Sequence, residues 1–314
     1  MPEWLIERGI GETRALLVDN GEIVEARIMV EGAVRAGTVL EARLAQAAAP
    51  TIALADGWEY LLPGGAPGVT QGAALRIEVT REAIPGVEPW KRPLARATDE
   101  PPSIPPPLAG GEVGFPSPRN ELDDAGWDDL IEQARSSMVA FPGGALRISP
   151  TPAMTLIDVD GTLAPAGLAA AGAAAAAKVI RRLDIGGSIG IDLPTVAGKA
   201  PRHAAAAAID AHLPQPFERT AVNGFGFMQI VRPRSRPSLL EIWTDRADAE
   251  ARALLRQAAR SGSGARRLAA HPGVIAALEA KPAWLDALAR QLGGAVSLRA
   301  DPAQHICGGH AEPA

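Results

Sequence analysis

The sequence predicts an α+β protein: an N-terminal β region with a small β-barrel, then an α/β subdomain on a mixed sheet, then a small α/β tail. Three observations carry that prediction. Up to Arg81, short alternating apolar runs are separated by Gly-containing turns, the pattern of short strands. Between Met154 and Asp192, two β-type runs flank an Ala-rich segment of strong helix formers. Beyond residue 245, helix-like segments dominate and one last strand-like run follows. The expected domains are 1–84, a linker over 85–118, 119–245 and 246–314.

In chain order, the first strands are Trp4 to Glu7, Thr13 to Asp19 and Ile23 to Met29, with Asp19-Asn20-Gly21 as a hairpin turn. From Arg35 to Arg81 the runs VLEARL, TIALADGWEYLLP and ALRIEVT supply short strands for a barrel. Pro85 to Pro118, including PPSIPPP at 101–107, reads as a linker of extended polyproline character. Leu122 to Ser137 reads as a helix with Trp127, Leu130, Ile131 and Ala134 on one face.

The strand, helix, strand unit comes next. Strands Met154 to Asp158 and Ser188 to Asp192 flank a helix over Ala166 to Leu183. A helical crossover makes such strands parallel neighbours or near neighbours, so their C-terminal ends lie on one sheet edge. Asp158 and Asp192 are the last residues of the two runs and are expected to meet there. Asp160 shares the side of Asp158 if the strand persists that far, because strand side chains alternate. Three carboxylates on one edge repel one another unless a cation sits between them, and a hydrated divalent ion is the simplest candidate. The competing account is that a strand-end Asp caps a helix and that DVDG is ordinary turn chemistry.

Further along lie a loop with Lys199 and Arg202, an Ala-rich helix from Arg202 to His212 and a strand from Thr220 to Ile230. Arg232, Arg234 and Arg236 follow, spaced two apart with prolines between. In an extended segment that spacing puts three guanidinium groups on one face, suited to successive phosphates or to a solvated basic edge. Arg181 and Arg182 end the crossover helix, where a basic residue also suits the helix dipole. The tail reads as helices 246–260, 273–280 and 282–292 and a strand 295–299.

Composition bounds the function class. The 314 residues leave room for two or three domains, and a net charge of −5 excludes a chain that is basic all over. Local Lys and Arg clusters still allow contact with RNA phosphates. One Cys argues against a disulfide scaffold and fits a reducing cytosol. No apolar run approaches a membrane span, and MPEWLIE is no secretory signal, so a soluble cytoplasmic protein is expected. His305, Cys307 and His310 lie close together near the end, but a single thiol in a terminal segment is weak ground for structural zinc.

Two resemblances sharpen these readings. Leu156 to Leu163, LIDVDGTL, resembles the first motif of haloacid-dehalogenase-type phosphatases, in which the position of Asp158 is the nucleophile and that of Asp160 the acid/base, with Mg²⁺ between them. The wider window resembles the ribonuclease E/G family. Ile157-Asp158-Val159-Asp160, the Ala-rich helix, Arg181-Arg182-Leu183-Asp184-Ile185-Gly186-Gly187, Ile191-Asp192, Asn223 to Ile230 and RPRSRPSL at 232–239 match that family's segments in order. The barrel region resembles a reduced S1-type oligonucleotide-binding fold, and residues 271–302 resemble the family's C-terminal piece.

The second resemblance implies a metal-dependent endoribonuclease acting on single-stranded RNA, with Asp158, Asp160 and Asp192 catalytic and Asp158 and Asp192 holding Mg²⁺. RNA contacts are expected from Arg181, Arg182, Lys199, Arg202, Arg232, Arg234 and Arg236. The rival expectations are a phosphatase and an RNA-binding protein of weakened catalysis. Several positions depart from the ribonuclease E/G pattern. Asp160 replaces its Asn, Gly224 stands where an Arg precedes Phe225, and Ala53 and Leu61 stand where barrel aromatics stack bases, with Trp58 and Tyr60 beside them. The chain has neither a stretch long enough for a 5′-sensing domain nor a Cys-x-x-Cys zinc link, so a zinc-linked dimer is not expected.

Overall fold

A computed structural model describes residues 2–85, 91–117 and 120–314. β1 (Glu3–Arg8), β2 (Glu12–Asp19) and β3 (Glu22–Val30) form an antiparallel meander. Asn20 and Gly21 both take positive φ, 51° and 81°, in the tight turn expected from Asp-Asn-Gly. β4 (Val39–Gln46), β5 (Ile52–Ala55), β6 (Trp58–Leu61), β7 (Ala74–Arg81) and β8 (Leu94–Thr98) then close into a barrel in the order β4-β5-β6-β8-β7.

The segment expected to be a linker is therefore structured over much of its described length. β8 completes the barrel, Ser103 bridges Val39, and Arg35 donates to the carbonyls of Pro105 and Pro106. β9 (Gly111–Val113) pairs in parallel with β1. Proline density concealed these strands, because LARAT and GEV each carry one large apolar residue and show no clear alternation. Residues 86–90, 118 and 119 of that stretch lie outside the described residues.

α1 (Glu121–Asp124) and α2 (Trp127–Ser136) stand where one helix was expected. Gly126 at φ 102° breaks the helix, while Trp127, Leu130, Ile131 and Ala134 are buried as their spacing requires. β10 (Met138–Phe141) and β11 (Gly144–Pro150) make an unanticipated hairpin. β12 (Thr155–Gly161), α3 (Pro165–Arg182) and β13 (Gly187–Asp192) form the expected strand, helix, strand unit, and α4 (Ala200–His212) follows. The strand expected over Thr220 to Ile230 is instead a hairpin of β14 (Glu218–Arg219) and β15 (Phe227–Arg232), because a tight turn at Asn223–Gly226 interrupts it.

The chain ends with α5 (Leu239–Ile242), α6 (Arg246–Arg260), β16 (Arg266–Ala270), α7 (Pro272–Glu279), α8 (Pro282–Leu292), β17 (Val296–Ala300) and β18 (His310–Pro313). Strands β16 and β18 were not foreseen; they complete a three-stranded sheet in the order β17-β16-β18. Among the described residues, no helix is long and apolar enough to cross a membrane.

Contacts divide the chain into two units. One comprises Met1–Glu31, Ala109–Asp128 and Ile242–Ala314; the other comprises Gly32–Leu108 and Asp129–Glu241. The first three strands thus group with the C-terminal region and not with the barrel. In the second unit six strands lie in the order β10-β11-β12-β13-β15-β14, with β12 and β13 parallel and the other neighbours antiparallel. Helix α3 packs on this sheet through small residues. A side chain at Gly172 would come within 2.3 Å of Val159 Cγ1, and Ala169, Ala173, Ala176 and Ala177 are all buried.

Candidate functional site

Strand alternation sorts β12 cleanly. Ile157 and Val159 are buried on the helix side, so Leu156, Asp158 and Asp160 stand on the opposite, exposed face. The strand does persist to Asp160, because β12 runs on to Gly161 along β11. On β13, Ile189 and Ile191 are buried while Asp192 is exposed on the face that carries Asp158. Asp158 and Asp192 are register partners on adjacent parallel strands. Adjacent strands lie ~4.8 Å apart, which sets the two carboxylates side by side.

The register extends into a row across four strands: Arg147 on β11 opposes Asp158, Asp158 opposes Asp192, and Asp192 opposes Phe227 on β15. Partial loss of water against the sheet, then the charges of Asp160 and Asp192, push the Asp158 carboxyl above its ordinary range. Arg147 pulls it back down. Repulsion among like charges is the electrostatic signature of a face that gains from a cation.

The donor set suits a hard cation. Magnesium is held through one or two carboxylates and keeps several waters, and Asp158 with Asp192 supplies that number. Among the described residues, no group of three or more His, Cys, Asp and Glu side chains converges as a ligand cage, so Asp160 neighbours the pair without closing a third corner. The terminal trio does not converge either. His305 Nδ1 lies 3.0 Å from Cys307 Sγ, whereas His310 belongs to β18 and its Nδ1 lies 3.2 Å from Gln304 Nε2.

The expected basic residues separate into two groups. Lys199 and Arg202 open α4, which follows β13, and so lie at the carboxylate edge. Arg202 Nε donates to Gly198 O at 2.9 Å, and its Nη1 lies 3.9 Å from where a side chain at Gly224 would begin. The other five do not face the carboxylates, contrary to expectation. Arg181 and Arg182 end α3, and Arg232 opposes Gly187 at the start of β13. Five steps along β13 place that edge roughly 16 Å from Asp192.

There the arginines tie the chain together. Arg232 Nη1 donates to Ile185 O at 3.0 Å, Arg182 Nη2 to Gln133 Oε1 at 2.8 Å and Arg236 Nε to Asp184 Oδ2 at 2.5 Å, while Arg234 pairs with Glu241. The reason is topological. The α3 crossover and the antiparallel β15 both return to the far edge, whatever the spacing of the arginines.

Two residues at the carboxylate edge escaped sequence reading. Arg147 is legible only once the β10–β11 hairpin sets its register. Phe225 is 83% exposed at the tip of the turn before β15. Asn223 Oδ1 accepts from the backbone N–H groups of Phe225 and Phe227 at 2.9 and 3.0 Å, and Thr195 Oγ1 donates to Phe225 O at 3.0 Å. Gly226, at φ 95°, passes so close to Leu193 that a side chain would lie 2.1 Å from Leu193 O. Phe227 and Leu156 pack over Gly190, whose missing side chain makes room for them on the same face. Compared with models of known protein families and with curated proteins, the chain matches none.

Proposed function

We propose that this protein is a Mg²⁺-dependent endoribonuclease that cleaves single-stranded RNA. The observation that carries the reading is the in-register pair Asp158 and Asp192 on the open face of the sheet. Three features support a nucleic-acid substrate. The barrel order β4-β5-β6-β8-β7, with β6 and β8 parallel, is that of a five-stranded oligonucleotide-binding barrel. α3 and α4 begin beyond the carboxylate-bearing strands with no side-chain cap and no acidic residue in the first turn, leaving N–H groups that favour an anion. Arg147, Lys199 and Arg202 add positive charge on that side.

Asp158 and Asp192 would hold the ion, which when bound would supply Lewis acidity toward a phosphoryl oxygen and acidify water. Asp160, on the same strand face, accepts a hydrogen from the attacking water and orients it. The water oxygen bonds to phosphorus as its proton passes to Asp160, and the bond to the 3′ oxygen breaks; that oxygen takes up a proton from solvent, leaving a 5′-phosphate and a 3′-hydroxyl. Arg147 and Arg202 offset the charge that gathers on the phosphate, a task for which Gly224 offers no side chain. The phosphatase reading has less support, because it needs a further acidic pair later in the chain, and the pair the sequence offers, Asp245 and Asp248, is otherwise engaged. Asp245 caps α6, and Asp248 pairs with Arg252 and Lys281.

The test is incubation of a labelled single-stranded oligoribonucleotide with Mg²⁺ and wild-type protein, Asp158→Asn or Asp192→Asn. Each substitution is expected to slow cleavage by about 10²-fold or more, and chelation of Mg²⁺ to stop it. Equal cleavage by all three proteins would identify a contaminant and overturn the reading. Oligonucleotide binding without cleavage would leave a binding protein in its place.

A further inference from the structure

We infer that Phe225 is a stacking platform for a nucleobase next to the scissile phosphate, an inference that rests on the nuclease reading and names a contact within the same site. An isolated exposed apolar side chain is ordinary. Phe225 is different because its backbone is fixed on every side: Asn223 accepts from two N–H groups, Thr195 binds its carbonyl, and Gly226 N–H donates to Asn223 O at 3.2 Å. The chain thus presents an exposed phenyl ring on a turn whose backbone is pinned.

Its position matches the chemistry. Two residues on, Phe227 opposes Asp192, the next member of the row that runs Arg147, Asp158, Asp192, Phe227. From Asp192 the platform is one strand spacing across to Phe227, ~5 Å, and two residues along the chain, roughly 7 Å, a separation within reach of the base next to a phosphate at the carboxylates. Arg202 Nη1 lies near Gly224, so the platform has a cation beside it for the flanking phosphate. A ring flanked by positive charge suits a nucleobase attached to a polyanion better than an apolar protein surface. Stacking tolerates any base, so the contact supplies affinity and placement without sequence preference.

The experiment measures binding by fluorescence anisotropy of a labelled ten-nucleotide single-stranded RNA to protein carrying Asp158→Asn, which keeps the probe intact. Adding Phe225→Ala is expected to weaken binding about tenfold, and Phe225→Trp to preserve it. RNAs with one abasic site, moved along the strand, are expected to include one position at which the Ala and Phe proteins bind alike. A change below twofold, or a weakening that persists for every abasic position, overturns the inference. So does a failure to bind RNA. Cleavage by the wild type with no effect of Phe225→Ala would retain the nuclease and remove the platform, whereas the abasic signature without any wild-type cleavage would retain the platform and remove the nuclease. Because the ring is exposed, unchanged thermal unfolding of Phe225→Ala is the expected control.

Discussion

Asp158 sits where two requirements conflict, since a carboxylate that binds a cation must stay charged, while its neighbours Asp160 and Asp192 oppose that charge. The conflict is measurable without any activity assay. An unfolded Asp titrates near ~3.9, and the folded-state value of Asp158 lies above it, so folding favours the protonated form. Below about pH 3 the group is protonated in both states and contributes nothing. As pH rises through the unfolded and then the folded value, stability falls, and at pH 7 the whole penalty is present. Asp158→Asn is therefore expected to raise the melting temperature at pH 7 without divalent ions, by an amount that shrinks through pH 4 and vanishes near pH 3. Mg²⁺ should stabilise the wild type more than the variant. A variant that melts lower at pH 7, or whose melting temperature shifts by the same amount at pH 7 and pH 3, would mean that neither lost hydration nor the neighbouring charges disfavour the ionised form. This pairing was legible in sequence, because two strand-end aspartates around a crossover helix can hardly avoid one another. Arg147 and Phe225 were not: one depends on the register of a hairpin with a weak pattern, the other on a turn inside an apparently continuous strand.

The elements around the site show the same division between local and long-range information. Ala and Leu content fixed α3 to within a residue or so, since propensity is summed over many positions. Propensity says nothing about which end of a strand a later arginine will reach, so the five far-edge arginines could not be told from the two basic residues at the carboxylate edge. Two glycines on α3 separate propensity from packing. Gly167 meets nothing within 4 Å of its potential side chain, so Gly167→Ala is expected to leave stability unchanged or raise it by up to about 1 kcal/mol. Gly172→Ala adds the same methyl where Val159 Cγ1 lies 2.3 Å away, against a β-branched side chain on the strand that carries Asp158 and Asp160. Overpacking there is expected to cost about 1–3 kcal/mol. Urea unfolding of both variants checks the contrast. Equal effects would show that Gly172 does not press on Val159 closely enough to exclude a methyl group.

The two units are built from interleaved stretches of chain, and the one that joins the N-terminal meander to the C-terminal helices depends on charges that periodicity cannot reveal. Glu7 and Arg14 on adjacent strands are each 1% exposed, and Arg252 on α6 is 2% exposed. Arg14 donates to both Glu7 oxygens at 2.7 and 3.0 Å, Arg260 reaches Glu7 at 2.5 Å and Asp123 at 2.9 Å, and Arg252 reaches Glu12 at 2.7 Å. In a strand pattern Glu7, Glu12 and Arg14 look like solvent-facing residues. That is why residues 1–84 read as one β region, although the first thirty or so pack with a segment more than two hundred residues away. Breaking such a cluster on one side leaves buried charge without compensation, which costs about 3–5 kcal/mol, a large share of the 5–15 kcal/mol that holds a typical domain together. Glu7→Ala removes the bidentate partner of Arg14 and one of the two carboxylates that hold Arg260, leaving Asp123 as their shared acidic partner, so equilibrium urea unfolding should show a loss toward the lower end of that range. Glu7→Gln, which keeps the shape and can accept one hydrogen bond, should lose less. A loss below about 1 kcal/mol for Glu7→Ala would mean that water reaches these guanidinium groups, and that apolar packing among Leu254, Leu255, Leu268, Val274 and Leu288 holds the unit together without the charges.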